Sequence, residues 1–121
     1  MSIKVLAIDD SRTIRSLMSA TLTGAGFEAC IAEDGVDGLE KMEEFSPDVI
    51  ITDINMPNLD GFGVIDGVRA HPKFGSCPVL VLSTESSRDM KMRARDAGAT
   101  GWIVKPFDRD RLVGAIHRVA G

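Results

Sequence analysis

Five short apolar runs alternate with helix-like segments along this chain, and this alternation restricts the folds that it can adopt. The runs are rich in β-branched and aliphatic residues, and each is followed by a segment whose apolar residues recur at helical spacing. Strands separated by helices favour a parallel sheet, because parallel neighbours need long crossover connections. The predicted strands span residues 3–8, 27–31, 49–52, 78–82 and 102–104.

Two of these strands are predicted to lie inside the sheet. Residues 49–51 and 79–82 are apolar throughout, as expected for strands of a parallel sheet that helices cover on both faces. The chain is therefore predicted to be a doubly wound α/β domain with five helices, the first capped by Ser11 and the last beginning at Asp108. In such sheets ligands bind outside the carboxyl ends of the strands.

Composition excludes several classes of protein. The chain has 121 residues, 44% hydrophobic and 26% charged, which suits one folded domain. Its net charge of −4 combines −8 in residues 1–60 with +4 in residues 61–121, without the basic excess of a nucleic-acid-binding domain. The longest uncharged stretch, residues 16–27, is too short to span a membrane, and no secretory leader is evident. We expect a cytoplasmic protein in which Cys30 and Cys77 are buried, reduced thiols.

Polar and charged side chains follow four of the five predicted strands. Asp9 and Asp10 follow the first strand, Asp53 the third, Ser83 the fourth and Lys105 the fifth. The carboxyl ends of parallel strands meet at one edge of a sheet, so the three carboxylates are expected to repel one another unless a cation lies between them. Mg²⁺ prefers such oxygen ligands. With an ammonium and a hydroxyl nearby, the site suits transfer of a phosphoryl group to a carboxylate.

Each of these residues also has an ordinary structural explanation when it is taken alone. Asp10 or Ser11 can cap the first helix, Asp53 stands among turn-forming residues, and Lys105 before a proline is a common strand end. Their convergence on the ends of four strands favours a functional site.

Two other chemistries agree less well with the sequence. A flavin or dinucleotide phosphate site needs a glycine-rich or hydroxyl-rich loop after the first strand, where Asp9 and Asp10 would repel a phosphate. A phosphatase of the haloacid dehalogenase type has a second Asp, its general acid, two residues after the aspartyl nucleophile. Asn55 occupies that position here and cannot act as a general acid. An aspartyl-nucleophile phosphatase is therefore only a remote alternative.

Across residues 1–121, the sequence resembles the receiver domain of two-component response regulators. The resemblance rests on the Asp9-Asp10 pair, the run Asp-Ile-Asn-Met-Pro-Asn-Leu-Asp-Gly at 53–61, Ser83, and Lys-Pro-Phe at 105–107, all in the order and spacing of that family. Within the family the sequence is most similar to the stand-alone chemotaxis regulators. The resemblance implies a single domain with a flavodoxin-like fold, a parallel sheet in the strand order 2-1-3-4-5, and a cis bond before the proline of the last run.

The resemblance also implies a role for each residue of the expected site. Asp53 would accept the phosphoryl group from the phosphohistidine of a sensor histidine kinase, in a reaction that requires Mg²⁺. Asp10 and Asp53 would bind Mg²⁺ through their side chains, Asn55 through its backbone carbonyl, and Asp9 largely through water. Lys105 would hold the phosphoryl oxygens.

A switch is implied beside the site. Ser83 takes the position of the family's switch hydroxyl, and alternation along the strand favours it over the competing Thr84. Trp102 takes the position of the switch aromatic residue. Asn55 and Glu85 match positions that tune hydrolysis of the acyl phosphate, so the protein would promote its own phosphorylation and dephosphorylation without being an enzyme in the usual sense.

A basic stripe is expected on the fourth helix. Arg88, Lys91 and Arg95 recur at helical spacing and, unless they are merely a solvated surface, would form with Trp102 a docking surface for an acidic segment of a kinase or of the flagellar motor switch protein. The alternative within the family is a phosphate sink or phosphorelay receiver that does not bind the motor. DNA binding is not expected, because Gly121 follows the fifth helix directly without an output domain and the net charge of −4 lacks a basic excess. A monomer is expected.

Overall fold

Five parallel strands form one sheet through the centre of the part of the chain that the structure describes. The computed structural model describes residues 2–120. The strands lie in the order β2-β1-β3-β4-β5, which confirms the predicted doubly wound, flavodoxin-like arrangement, and each strand end lies within one residue of its predicted position. They are β1 (Lys4–Ile8), β2 (Glu28–Ala32), β3 (Val49–Thr52), β4 (Val79–Ser83) and β5 (Gly101–Val104).

Between residues 2 and 120, five helices cover the two faces of the sheet. They are α1 (Arg12–Gly24), α2 (Gly35–Phe45), α3 (Gly61–Ala70), α4 (Arg88–Ala97) and α5 (Arg109–Ala120). Ser11 caps α1 as predicted, since its side chain accepts a hydrogen bond from the backbone N–H of Ile14. Asp34, Asp60 and Ser87 cap the next three helices in the same way, so each helix begins where a side-chain oxygen satisfies a free backbone N–H.

The apolar core has two parts, one on each face of the sheet. α1 and α5 pack on one face, and α2, α3 and α4 pack on the other. β3 and β4 are buried along their whole length, as expected for central strands of a covered parallel sheet. Within residues 2–120, no helix is both long enough and apolar enough to cross a membrane.

The two cysteines are free, as predicted, but they are half-buried rather than fully buried. Cys30 lies on β2 at the sheet edge, and Cys77 precedes β4. Burial raises the pKa of both thiols, that of Cys77 to about 11. A thiol that keeps its proton is a poor nucleophile and a poor metal ligand.

Candidate functional site

Asp9, Asp10 and Asp53 lie together at the carboxyl edge of the sheet. The strand hydrogen bonding continues past the strands, because the N–H of Asp53 donates to the carbonyl of Ile8 at 3.0 Å and that of Asp9 to the carbonyl of Ala32 at 3.1 Å. One carboxylate oxygen from each of the three aspartates lies within 4.8 Å of the others. Asp9 and Asp53 are buried, whereas Asp10 is exposed.

The Lys105 ammonium lies between two of these carboxylates. Its Nζ donates to Oδ2 of Asp9 at 2.7 Å and to Oδ2 of Asp53 at 3.0 Å, and its side chain is only 9% exposed. Burial acts to lower the pKa of Lys105, but the hydrogen bonds and negative charges of the two aspartates outweigh burial and raise the pKa above its ordinary value. Lys105 therefore carries its positive charge at neutral pH at this edge of the sheet.

Asp9 has a protein partner at every polar atom. Besides the Lys105 contact, its Oδ1 accepts from the backbone N–H of Ser11 at 2.8 Å, and its carbonyl accepts from Nη1 of Arg15 at 2.9 Å. Burial raises the pKa of the Asp9 carboxyl, and the bonds from Lys105 and Ser11 offset that rise only in part. Arg15 was not predictable from the sequence, because a contact between a helix side chain and a loop carbonyl leaves no motif.

Asp53 is also held at both carboxylate oxygens. Its Oδ1 accepts from the N–H of Ile54 at 2.7 Å, and Oδ2 accepts from Lys105. The hydroxyl of Thr52 donates to its carbonyl at 2.8 Å, while Asn55 is exposed in the following loop. The three carboxylates outnumber the single ammonium, so this set of oxygen donors fits a hard divalent cation.

Glu85 links Ser83 with Trp102 through its backbone. Ser83 is buried at the end of β4, and its Oγ accepts from the N–H of Glu85 at 3.1 Å. The half-buried Trp102 donates from Nε1 to the carbonyl of Glu85 at 2.9 Å. Thr84 is exposed.

The backbone of Lys105 is bonded to the end of β4, because its N–H donates to the carbonyl of Ser83 at 2.8 Å. The peptide bond between Lys105 and Pro106 is cis, as predicted.

The basic stripe lies on the exposed surface of α4. Arg88, Lys91 and Arg95 are all exposed, and the last two line a groove beside Trp102 on β5. Arg88 does not line that groove. The stripe and the switch aromatic residue therefore share one surface only in part.

α5 adds two arginines that the sequence analysis missed. Arg111 and Arg118 are exposed and line a second hollow together with Lys91 and Trp102. Their spacing of seven residues places them on one helix face, and that spacing was the available signal. Asp108, just before α5, lines the same hollow, so it offsets one of the two arginines. The surface formed by α4, β5 and α5 is therefore slightly more basic than the stripe on α4 alone.

Residues 5–117 match the response regulator receiver domain family, and this chain belongs to that family. The probable chemotaxis protein CheY of Rhizobium etli is 37% identical to it over 120 residues, which cover 98% of this chain and 93% of that protein. Protein PilG of Pseudomonas aeruginosa is 37% identical over 114 residues, covering 94% of this chain and 84% of that protein. The structure of chemotaxis protein CheY4 of Vibrio cholerae superposes with a TM-score of 0.94 at 43% identity, covering 98% of this chain and 99% of that one.

Proposed function

We propose that this protein is a phosphorylation-dependent switch of the chemotaxis type, in which Asp53 accepts a phosphoryl group from a sensor histidine kinase. The observation that carries the proposal is the position of the Lys105 ammonium between Oδ2 of Asp9 and Oδ2 of Asp53. Membership of the receiver family and the similarity to CheY proteins support it. The protein would act as a single, monomeric, cytoplasmic domain comprising residues 1–121.

In the transfer step, a carboxylate oxygen of Asp53 forms a bond to phosphorus and the bond between phosphorus and the kinase imidazole breaks. The electron pair of that bond stays on the imidazole nitrogen. Lys105 balances negative charge on the phosphoryl oxygens, and the N–H of Ile54 keeps the Asp53 carboxylate oriented.

Asp10 and Asp53 would hold Mg²⁺ by their side chains and Asn55 by its carbonyl, with Asp9 acting largely through water. When bound, the ion neutralises carboxylate charge and attracts the incoming phosphoryl oxygens. The exposed carboxylate of Asp10 supports its role as a direct ligand. The exposed side chains of Asn55 and Glu85 would tune access of water to the acyl phosphate, and so its hydrolysis.

The effect of phosphorylation at Asp53 would be transmitted through Ser83. Phosphorylation adds a charge of about −2, and the Ser83 hydroxyl would donate to a phosphoryl oxygen. Movement of Ser83 disturbs its bond with the Glu85 N–H, and the carbonyl of the same residue holds Trp102. The surface of α4, β5 and α5 would then shift between two arrangements that are both populated beforehand.

Phosphorylation with acetyl phosphate and Mg²⁺ tests the site directly. Intact mass should show one added phosphoryl group, and the fluorescence of Trp102, the only tryptophan, should change in parallel. Asp53→Asn should abolish both signals. The control Asp66→Asn, an exposed carboxylate on α3, should preserve them. Phosphorylation that persists in Asp53→Asn would refute Asp53 as the acceptor.

The output needs a separate test. The basic surface with Lys91, Arg111 and Arg118 supports docking of an acidic segment of a partner protein. A flagellar motor switch protein is the proposed partner. Phosphorylated protein should bind a purified motor switch protein more tightly than unphosphorylated protein. Equal and negligible binding in both states would favour the alternative, a phosphate sink or relay receiver.

A further inference from the structure

Arg69, in the last turn of α3, contacts three backbone carbonyls from two different loops. Its Nε and Nη2 donate to the carbonyl of Gly98 at 3.1 and 2.6 Å. Its Nη1 donates to the carbonyls of Gly75 and Cys77 at 3.1 and 2.7 Å. The guanidinium therefore joins the connection between α3 and β4 to the C-terminal end of α4.

Gly98 makes this contact possible. It follows α4 with a φ of 113°, a left-handed conformation that favours glycine, and a Cβ at this position would lie 2.8 Å from Nε of Arg69. Its N–H donates to the carbonyls of Ala94 and Arg95. A cation at this end of a helix also interacts favourably with the helix dipole.

The residues after Gly98 attach the same end of α4 to the sheet. The N–H of Ala99 donates to the carbonyl of Ala94 at 2.9 Å, and the N–H of Thr100 donates to the carbonyl of Val79 at 2.7 Å. The hydroxyl of Thr100 accepts from the N–H of Val79 at 3.1 Å. Backbone and side chain thus hold the C-terminal end of α4 against β4.

The N-terminal end of α4 is held differently. Residues 84–89 are all exposed, and Ala94 in the second half of the helix is its fully buried residue. The backbone of Glu85 bonds to Ser83 and Trp102, the two residues assigned to the switch. One end of α4 therefore connects to the switch and the other end connects to Arg69.

We propose that Arg69 is a positioning residue that holds the C-terminal end of α4, so that the response of α4 to phosphorylation is confined to its N-terminal half. The second part of this inference rests on the proposed function. The holding of the C-terminal end of α4 by Arg69 concerns the unphosphorylated protein and does not depend on the proposed function.

Amide hydrogen exchange measured by NMR tests the holding role. Arg69→Met should raise the exchange rates of the Gly98, Ala99 and Thr100 amides by about tenfold or more, because hydrogen bonds to charged groups are lost there. The amide of Asp53, which bonds to the carbonyl of Ile8 between β3 and β1 and away from the Arg69 contacts, should change much less. Arg69→Lys keeps the positive charge but loses the planar guanidinium group, so it should give an intermediate rise in the exchange rates.

Arg95→Met is the matched control, because Arg95 is an exposed arginine in the last turn of the same helix. It should leave the three amides unchanged. An equal rise at Asp53 and at the three amides in Arg69→Met would mean a loss of global stability only, and would overturn the assignment. No rise at the three amides would overturn it as well.

The same amides report the response to acetyl phosphate and Mg²⁺. In the wild-type protein, the amides of Met90 and Lys91, which bond to Ser87, should change while those of Gly98 and Thr100 stay the same. In Arg69→Met the change should extend to Gly98 and Thr100. Equal changes at both ends of α4 in the wild-type protein would refute confinement. If no phosphoryl group is gained, the proposed function fails, and the exchange rates without phosphodonor still decide the holding role.

Discussion

The indole nitrogen of Trp102 donates a hydrogen bond of 2.9 Å to the backbone carbonyl of Glu85. This bond joins β5 to the loop that precedes α4. The N–H of the same glutamate donates to the Ser83 hydroxyl, so a single residue connects the hydroxyl at the end of β4 with the tryptophan on β5. Coupling between them requires only that the peptide groups of Glu85 move together.

Replacing the tryptophan by phenylalanine tests this connection. Trp102→Phe removes the donor and should lower the free energy of unfolding by about 1 kcal/mol, the usual net value of one hydrogen bond. Urea denaturation followed by circular dichroism measures the change. Glu85→Ala keeps the carbonyl and should leave stability nearly unchanged. A similar loss in both variants would contradict the role of this bond.

Mg²⁺ binding should depend on Asp10. In Asp10→Asn, loss of a carboxylate that repels its neighbours should leave stability without Mg²⁺ unchanged or higher by up to about 1 kcal/mol. The rise in melting temperature that Mg²⁺ gives the wild-type protein should be largely lost, because a ligand that binds the folded state stabilises it. Asp66→Asn should keep the full rise. Equal rises in both variants would exclude Asp10 as a ligand.

Removal of Lys105 should expose the repulsion between Asp9 and Asp53. The side chains of Asp9 and Asp53 beside it are only 5% and 11% exposed. Lys105→Met should therefore lower the free energy of unfolding by about 3 kcal/mol at neutral pH without divalent ions. Added Mg²⁺ should recover part of the loss, and Lys105→Arg should lose less. A loss that Mg²⁺ does not change would argue that Lys105 acts through packing alone.

Cys77 should react slowly with alkylating reagents in the folded protein. Burial raises its pKa from 9.0 to about 11, so at pH 8 the reactive thiolate is rarer than in the unfolded chain. The folded state binds more protons between these two pH values. The stability that Cys77 contributes is therefore fully present below pH 9.0 and is lost as the pH rises towards about 11.

Mass spectrometry of alkylated protein, with and without urea, measures the alkylation rate of Cys77. Denaturation of wild-type and Cys77→Ala proteins between pH 9.0 and about 11 measures the loss of stability, which should be larger for the wild-type protein. Equally fast alkylation of folded and unfolded protein would contradict both expectations.

Much of the fold was predictable because its signals are local. Apolar and β-branched runs located every strand end to within one residue, and the Ser11 side chain marks the start of α1. The grouping of Asp9, Asp10 and Asp53 was predictable for a related reason, since the carboxyl ends of parallel strands lie at one edge of the sheet.

Contacts between residues distant in the sequence were not predictable in this way. Arg69 and Gly98 are 29 residues apart, and only the packing of α3 beside the end of α4 brings them together. The half-burial of Cys30 and Cys77 likewise depends on neighbours supplied by other elements. Neither feature leaves a periodic pattern or a motif.

The sequence by itself determined the alternation of strands and helices and the chemical types of side chain at the strand ends. The tertiary structure alone decided that Lys105 pairs with Asp9 and Asp53 while Asp10 faces solvent. It also decided that Glu85 connects Ser83 to Trp102. The physical reason is that secondary structure follows from residues a few positions apart, whereas distances across the sheet depend on strand order and packing.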